Sequence, residues 1–235
     1  MGRAFDVSTA LALTLLRGAA GLSVKAVGHR PEKPLELYDY EGCAYCRKVR
    51  EVLSALDLEA MIYPCPKGGR RFRERARELG GKEQFPFLVD PNTQSSLYES
   101  EVIIRHLAKH YGLGEIPFMQ TLGSVNSALS VVSGYARGAR GSAVRPSRAP
   151  NQPLELYSFE ASPYCRLVRE VLSELEIPYL LHNVAKKSPS REAFVAKSGK
   201  MMVPYLVDPN TGSAMFESAD ILRYLEKSYA ERPRV

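Results

Sequence analysis

The sequence predicts an α/β protein built as two tandem βαβαββα units, each preceded by a short helical segment. Three observations carry that reading. "PLELYDYEGCAYCRKVREVLSAL" (34–56) aligns without a gap to "PLELYSFEASPYCRLVREVLSEL" (153–175), so the 235-residue chain repeats itself. "FPFLVDPNTQSSLYESEVIIRHLAKHY" (85–111) aligns in the same way to "VPYLVDPNTGSAMFESADILRYLEKSY" (203–229). Within each repeat, short apolar runs bounded by turn residues alternate with stretches of helical periodicity.

The elements follow in order. "LELYDY" is a short strand rich in apolar and aromatic residues. Val49, Val52, Leu53 and Leu56 then fall at i, i+3, i+4 and i+7, one face of a helix starting near Cys43. "EAMIY" (59–63) reads as a second strand ended by Pro64, and a polar helix follows at about 70–79. "PFLV" (86–89) and "SSLY" (95–98) flank the turn "DPNT" (90–93), which makes a hairpin. A helix over about 101–111, with Ser100 placed to cap it, closes the unit. The lead-ins also match, "ALTLLRGAAG" (12–21) against "ALSVVSGYAR" (128–137). The expected organisation is a helical preamble (1–33), a first domain (34–111), a connector (112–152) and a second domain (153–235). In the connector, Met119, Leu122, Val125, Leu129 and Val132 form an amphipathic stripe ahead of a Gly, Arg, Ser and Pro-rich stretch (133–150) expected to be irregular, its arginines solvated.

Composition narrows the class. A hydrophobic fraction of 45% with 25% charged residues is that of a soluble globular protein. The longest apolar stretch, "ALALTLL" (10–16), stops at Arg17, short of the roughly 18–20 residues of a membrane span. A net charge of +6 is modest, and in "GGRRFRERAREL" (68–79) Glu74 and Glu78 interleave with the arginines as on a solvated helix face. With no aromatic ladder beside it, that run argues against nucleic acid; a mildly basic surface suits an anionic small ligand. Residues 1–30, poor in acid and rich in Ala, Leu and Ser, resemble an organelle transit peptide, while Asp6 and the repeat favour folded structure there. "MGRAFD" lacks the Ser or Thr of a myristoylation signal. Four cysteines make no disulfide framework in a chain of this length and point to a reducing compartment.

The chemistry begins at "EGCAYC" (41–46), which returns as "EASPYC" (160–165) with Cys43 replaced by Ser162. A thiol at a helix start meets unpaired backbone N–H groups and the positive end of the helix dipole, which favour thiolate and lower its pKa. Cys46, one turn on, can resolve a disulfide formed at Cys43, the arrangement of thiol–disulfide exchange. Zinc sites use the same spacing, but structural zinc takes four ligands. No second CxxC exists and the four histidines do not gather near this one, so redox chemistry is favoured and no metal is expected. Pro86 and Pro204 each begin an apolar strand; if cis, they free the backbone of Phe85 and Val203 to pair with an extended ligand, and if trans they are ordinary strand-start prolines. Glu99–Ser100 and Glu217–Ser218 precede the last helix of each unit. A helix-start Ser can hold a carboxylate and an adjacent Glu an ammonium, an amino-acid head group between them; a plain cap is the alternative.

Taken together, a strand, a CxxC at a helix start, a proline before the third strand and "ES" before the last helix resemble the thioredoxin-fold glutathione-binding family of glutaredoxins and glutathione S-transferase N-terminal domains. The resemblance covers 34–111 and 153–229. It implies two thioredoxin-like domains with glutathione as co-substrate. It makes Cys43 the attacking thiol and gives Phe85–Pro86 and Val203–Pro204 the backbone clamp on glutathione's cysteine. "YES" and "FES" would hold its γ-glutamyl group. The tandem also resembles plastid and cyanobacterial two-domain proteins. The glutaredoxin lysine three residues before the attacking cysteine is Tyr40 here, which leaves Lys82 or an arginine from 70–77 to take the glycine carboxylate. Ser162 stands where many transferases carry a catalytic Ser.

The expected function is a glutathione-linked thiol–disulfide oxidoreductase whose first domain is catalytic and whose second is a divergent glutathione-binding copy. Its partners would be glutathione and glutathionylated or disulfide-containing proteins, in plastid stroma or cytoplasm, with no nucleic acid and no membrane. The rivals are a glutathione S-transferase-like enzyme using Ser162, a non-catalytic glutathione-binding scaffold, and a glutaredoxin bridging a [2Fe-2S] cluster through Cys43. Cys65, with Val184 at its counterpart, is expected to be structural, a third redox thiol being the alternative, and the resemblance implies that Cys165 is a buried or semi-buried thiol.

Overall fold

The computed structural model describes residues 3–16, 18–114 and 140–231. After helix α1 (Arg3–Leu16), the first unit runs β1 (Leu35–Asp39), α2 (Ala44–Ala55), β2 (Ala60–Pro64), α3 (Arg73–Gly80), β3 (Phe87–Asp90), β4 (Ser95–Tyr98) and α4 (Ser100–Tyr111). The second runs β5 (Leu154–Ser158), α5 (Pro163–Glu174), β6 (Tyr179–Asn183), α6 (Ser190–Ser198), β7 (Tyr205–Asp208), β8 (Ser213–Phe216) and α7 (Ser218–Tyr229). Both units are thioredoxin-like βαβαββα layers, as the repeat implies. The amphipathic stripe at 119–132 lies outside the described residues.

Within each unit the first two strands are parallel and the hairpin is antiparallel to them. The units then join edge to edge. β2 pairs antiparallel with β6, Ala60 opposite Leu181 and Ile62 opposite Tyr179, giving one eight-stranded sheet in the order β4-β3-β1-β2-β6-β5-β7-β8. Pairing the two inner edges satisfies backbone groups that would otherwise template association with other chains. One apolar cluster crosses the junction, with Leu35, Leu37, Val49 and Ile62 of the first unit beside Leu154, Leu156, Val168 and Leu181 of the second. Strand alternation sends Tyr38 to the opposite face, where it packs with Cys65, Ala76 and Phe87; Tyr157, Val184, Phe194 and Tyr205 repeat that cluster in the second unit.

The lead-ins cross over. α1 packs on α5 of the second unit, and Ser23 bridges to Lys186. The connector does the reverse: Lys67 N–H donates to Ser142 at 2.7 Å, and Val144 N–H donates to Lys67 at 2.9 Å. Each unit is thus covered by backbone that precedes the other.

Two sequence expectations need correction here. The arginine run at 68–79 is not uniformly solvated. Arg71 donates to the carbonyls of Leu175 and Glu176 at 2.7 and 3.2 Å, and to that of Ser147, because the C-terminal end of α5 offers unpaired carbonyls there. Connector arginines are also engaged: Arg145 bridges Glu174 at 2.8 Å and Glu226 at 2.6 Å.

Candidate functional site

β1 ends at Asp39 and the chain turns through Tyr40, Glu41 and Gly42 into α2, leaving Cys43 as the N-cap with φ −79° and ψ 119°. Its sulfur accepts the Cys46 N–H at 3.1 Å. The cis Phe85–Pro86 peptide approaches from β3, and the Phe85 carbonyl accepts from the Cys43 sulfur at 4.0 Å. The structure therefore brings together Cys43, Cys46, Phe85 and Pro86. Burial pushes the Cys43 thiol up, but the hydrogen bonds from Cys46 outweigh it and leave the pKa below the ordinary value. Cys46, fully buried, is pushed well up by desolvation and by Cys43 itself. Desolvation also raises Cys65 and Cys165, both 0% exposed. All four cysteines are free.

Tyr40 lies over this site, its ring edge-on to Phe85 at 6.5 Å between centroids. Its phenol is raised by burial and by the Cys43 sulfur, with which it shares a hydrogen bond. Arg73, from the start of α3, stacks 4.9 Å over the Phe85 ring and donates to the carbonyls of Pro66 at 2.8 Å and Cys65 at 3.1 Å. It also pairs with the partly exposed Glu83.

The second unit keeps the frame. Ser162 caps α5 with φ −74° and ψ 119°, and its hydroxyl accepts the Cys165 N–H at 3.3 Å. Val203–Pro204 is likewise cis. Phe159 stands where Tyr40 stands and Ser158 where Asp39 stands, so this copy lacks the phenol and the buried carboxylate as well as the thiol.

Ser100 and Ser218 are not the caps expected from sequence. Glu99 and Glu217 occupy the cap positions with φ +65°, so each Ser becomes the first helical residue and is buried. The sharp positive-φ turn out of the hairpin is what moves the boundary by one residue. Each Ser is buried at the helix start, where the first backbone N–H groups have no partner within the helix. Gln84 donates to the Glu99 carboxylate.

Sequence reasoning missed what the repeated glutamate does. Glu41 and Glu160 lie at the junction of the units, not among the reactive groups. Arg169 Nε donates to Glu41 Oε2 at 3.0 Å and Arg50 Nε to Glu160 Oε2 at 3.1 Å, with Arg50 also bound to Asp39. All five side chains are buried. Arg169 and Arg50 hold the Glu41 carboxyl well below its ordinary value, at about 2 even against burial. The signal was present: Glu, Arg and Ser recur in register as Glu41/Glu160, Arg50/Arg169 and Ser54/Ser173. Among the described residues, no group of three or more His, Cys, Asp or Glu is placed to hold a metal ion, and no helix is long and apolar enough to cross a membrane.

A helix-start thiol facing a cis-proline strand, on a duplicated thioredoxin-like layer, defines a glutathione-related thioredoxin-fold protein. The family model "Glutathione S-transferase, N-terminal domain" matches residues 37–115 and 156–233, and the chain belongs to that family twice over. A search of curated proteins finds no match. Among solved structures the chain is similar to "Leishmania TDR1 - a unique trimeric glutathione transferase", with 13% identity, a TM-score of 0.31, and coverage of 86% of this chain and 68% of that one, a likeness too loose to bear on fold or activity.

Proposed function

We propose that the chain is a glutathione-linked thiol–disulfide oxidoreductase, with Cys43 as nucleophile and the second unit as a glutathione-binding copy. The observation that carries this reading is the Cys46 N–H directed at the Cys43 sulfur at 3.1 Å, beside the Phe85 carbonyl. The Cys43 thiolate attacks the glutathione sulfur of a protein–glutathione mixed disulfide. That S–S bond breaks, a new one forms between Cys43 and glutathione, and the protein leaves as a thiolate that takes a proton. A second glutathione thiolate then attacks the glutathione sulfur, releasing oxidised glutathione and restoring the Cys43 thiolate. Burial and the neighbouring Cys43 push the Cys46 thiol well up, so in the resting site Cys43 is the attacking sulfur. Arg73 is the basic side chain beside the cis-proline segment, and a glycine carboxylate would exchange with Glu83 on it.

In the second unit, Ser162 can donate a hydrogen bond to a bound glutathione thiolate but cannot exchange sulfur. That same contact supports a transferase as the alternative. Reduction of a glutathione mixed disulfide by wild type and Cys43→Ser tests the reading. Loss of turnover in Cys43→Ser is expected, and retained turnover would overturn it. Conjugation activity that survives Cys43→Ser but not Ser162→Ala would favour the transferase.

A further inference from the structure

The loop that presents Cys43 is held by residues that do not belong to its own unit. Glu41 N–H donates to Ser173 Oγ at 3.3 Å, and the Ser173 hydroxyl donates to Gly141 O at 2.9 Å. Gly42 N–H donates to that same Gly141 carbonyl at 3.2 Å. The Glu41 carboxylate is gripped by Arg169 through two nitrogens, at 3.0 and 3.3 Å. The fit is close: a Cβ on Gly42 would sit 1.8 Å from Ser142 Oγ, and one on Gly141, which adopts φ +69°, would sit 2.8 Å from Glu41 Cβ. Every residue between Tyr40 and Cys43 is therefore tied to α5 or to the connector.

The arrangement is reciprocal. Glu160 N–H donates to Ser54 Oγ at 3.0 Å, and the Ser54 hydroxyl donates to Asn183 Oδ1 at 2.9 Å. Arg50 grips the Glu160 carboxylate. So α2 of the first unit holds the loop before Ser162, as α5 of the second holds the loop before Cys43.

We infer that Ser173 and Arg169 of the second unit are positioning residues for Cys43, so that the fused second copy is part of the first copy's thiol site. The inference rests on the reading of Cys43 as the reactive thiol. The titratable and charged groups acting on the Cys43 sulfur are Cys46 and Arg50 of its own helix and Asp39 and Tyr40 at the end of β1, with Arg73 of α3 beyond Tyr40. The largest of these influences all come from the first unit. What the second unit supplies is the loop's path, and with it the alignment of the sulfur on the Cys46 N–H. A helix-start hydrogen bond of this kind is directional, so a shift of the loop weakens the thiolate without moving any charge.

The test is the pH dependence of Cys43 alkylation by iodoacetamide in the full chain, read by peptide mass mapping, with mixed-disulfide turnover measured alongside. Ser173→Ala is expected to move the alkylation midpoint up by about one pH unit, roughly tenfold slower labelling at pH 6. Ser173→Thr, which keeps the hydroxyl, should restore it. Ser54→Ala removes an equally buried hydroxyl from the same junction and should leave the Cys43 midpoint in place. An unshifted midpoint in Ser173→Ala, or an equal shift in Ser54→Ala, would overturn the inference. Hydrogen exchange on the wild-type chain needs no variant: the Glu41 and Gly42 amides are expected to be protected, and rapid exchange there would overturn the clamp. Absence of wild-type turnover, with the alkylation shift intact, would remove the oxidoreductase reading and leave the positioning role standing.

Discussion

Arg50 of the first unit and Glu160 of the second are joined at 3.1 Å inside the protein, the Arg50 side chain 1% and the Glu160 side chain 3% exposed. Arg169 and Glu41 repeat the contact at 3.0 Å with the roles exchanged. Charges this deep are costly to strand, since removing one partner leaves the other desolvated without compensation. Arg50→Ala or Glu160→Gln should therefore each cost about 3–5 kcal/mol in urea unfolding. The double replacement Arg50→Met/Glu160→Met should cost less than the sum of its parts. Both units should unfold in one transition, because the network and the β2–β6 pairing span them. Two resolved transitions would contradict the shared core.

Cys43 should be the one cysteine labelled quickly by iodoacetamide at pH 6. Its pKa is lowered by the Cys46 hydrogen bonds despite burial, whereas desolvation raises Cys46, Cys65 and Cys165. Mass mapping after brief exposure reads this directly. Preferential labelling of Cys65 or Cys165 would reassign the nucleophile.

Local elements were legible because each repeats a simple signal. The Val49, Val52, Leu53 and Leu56 stripe joined the apolar core, with Cys43 as the cap of α2, although the polar side of that helix is buried as well. The placement of Phe85–Pro86 beside Cys43 was legible only through the resemblance to glutathione-binding domains, since spacing alone leaves an ordinary strand-start proline equally open. What stayed hidden depends on the partner surface. Nothing in "EAMIY" says that its free edge meets "YLLHN", since an apolar strand pairs as well with either neighbour. The role of Glu41 is set by a residue 128 positions away, and only the opposing Arg169 reveals a junction. The Ser100 boundary shifted because a positive φ at Glu99 is a property of the turn, not of the helix pattern.

Acid should loosen the junction. The folded pKa of Glu41, about 2, lies below its ordinary 4.5, so the unfolded chain binds more protons between those values. Stability from this group is fully present above pH 4.5 and falls as pH drops toward 2, by on the order of 3 kcal/mol. Asp90 and Asp208, also lowered, act in the same direction, while the raised Asp39 opposes them. Urea midpoints at pH 6, 4 and 3 should decline, and Glu41→Gln, weaker throughout, should show a shallower decline. An equal slope in the variant would place the acid sensitivity elsewhere.

Cys46→Ser should retain most reduction of glutathione mixed disulfides and lose reduction of protein disulfides. The first reaction needs one attacking thiol, and the second also needs a resolving one. Equal loss of both activities would mean that Cys46 is the nucleophile or that the pair holds a metal.

The final prediction concerns the copy that carries Ser162. Its cap geometry, φ −74° and ψ 119°, nearly reproduces the −79° and 119° of Cys43, and the Cys165 N–H already points at the hydroxyl. A sulfur placed there would receive the same hydrogen bond and helix field. It would also lack the carboxylate that opposes ionisation of Cys43, because Ser158 replaces Asp39. In the double variant Cys43→Ser/Ser162→Cys, position 162 should therefore be alkylated at pH 6 within about tenfold of the wild-type Cys43 rate. If Val203, Pro204, Glu217 and Ser218 also bind glutathione, mixed-disulfide turnover should reappear, moved to the second unit. Labelling without turnover would show that this copy kept the helix start but lost the glutathione frame. Failure of labelling would show that the cap hydrogen bond is not enough, and that Tyr40, replaced here by Phe159, is needed to hold the thiolate.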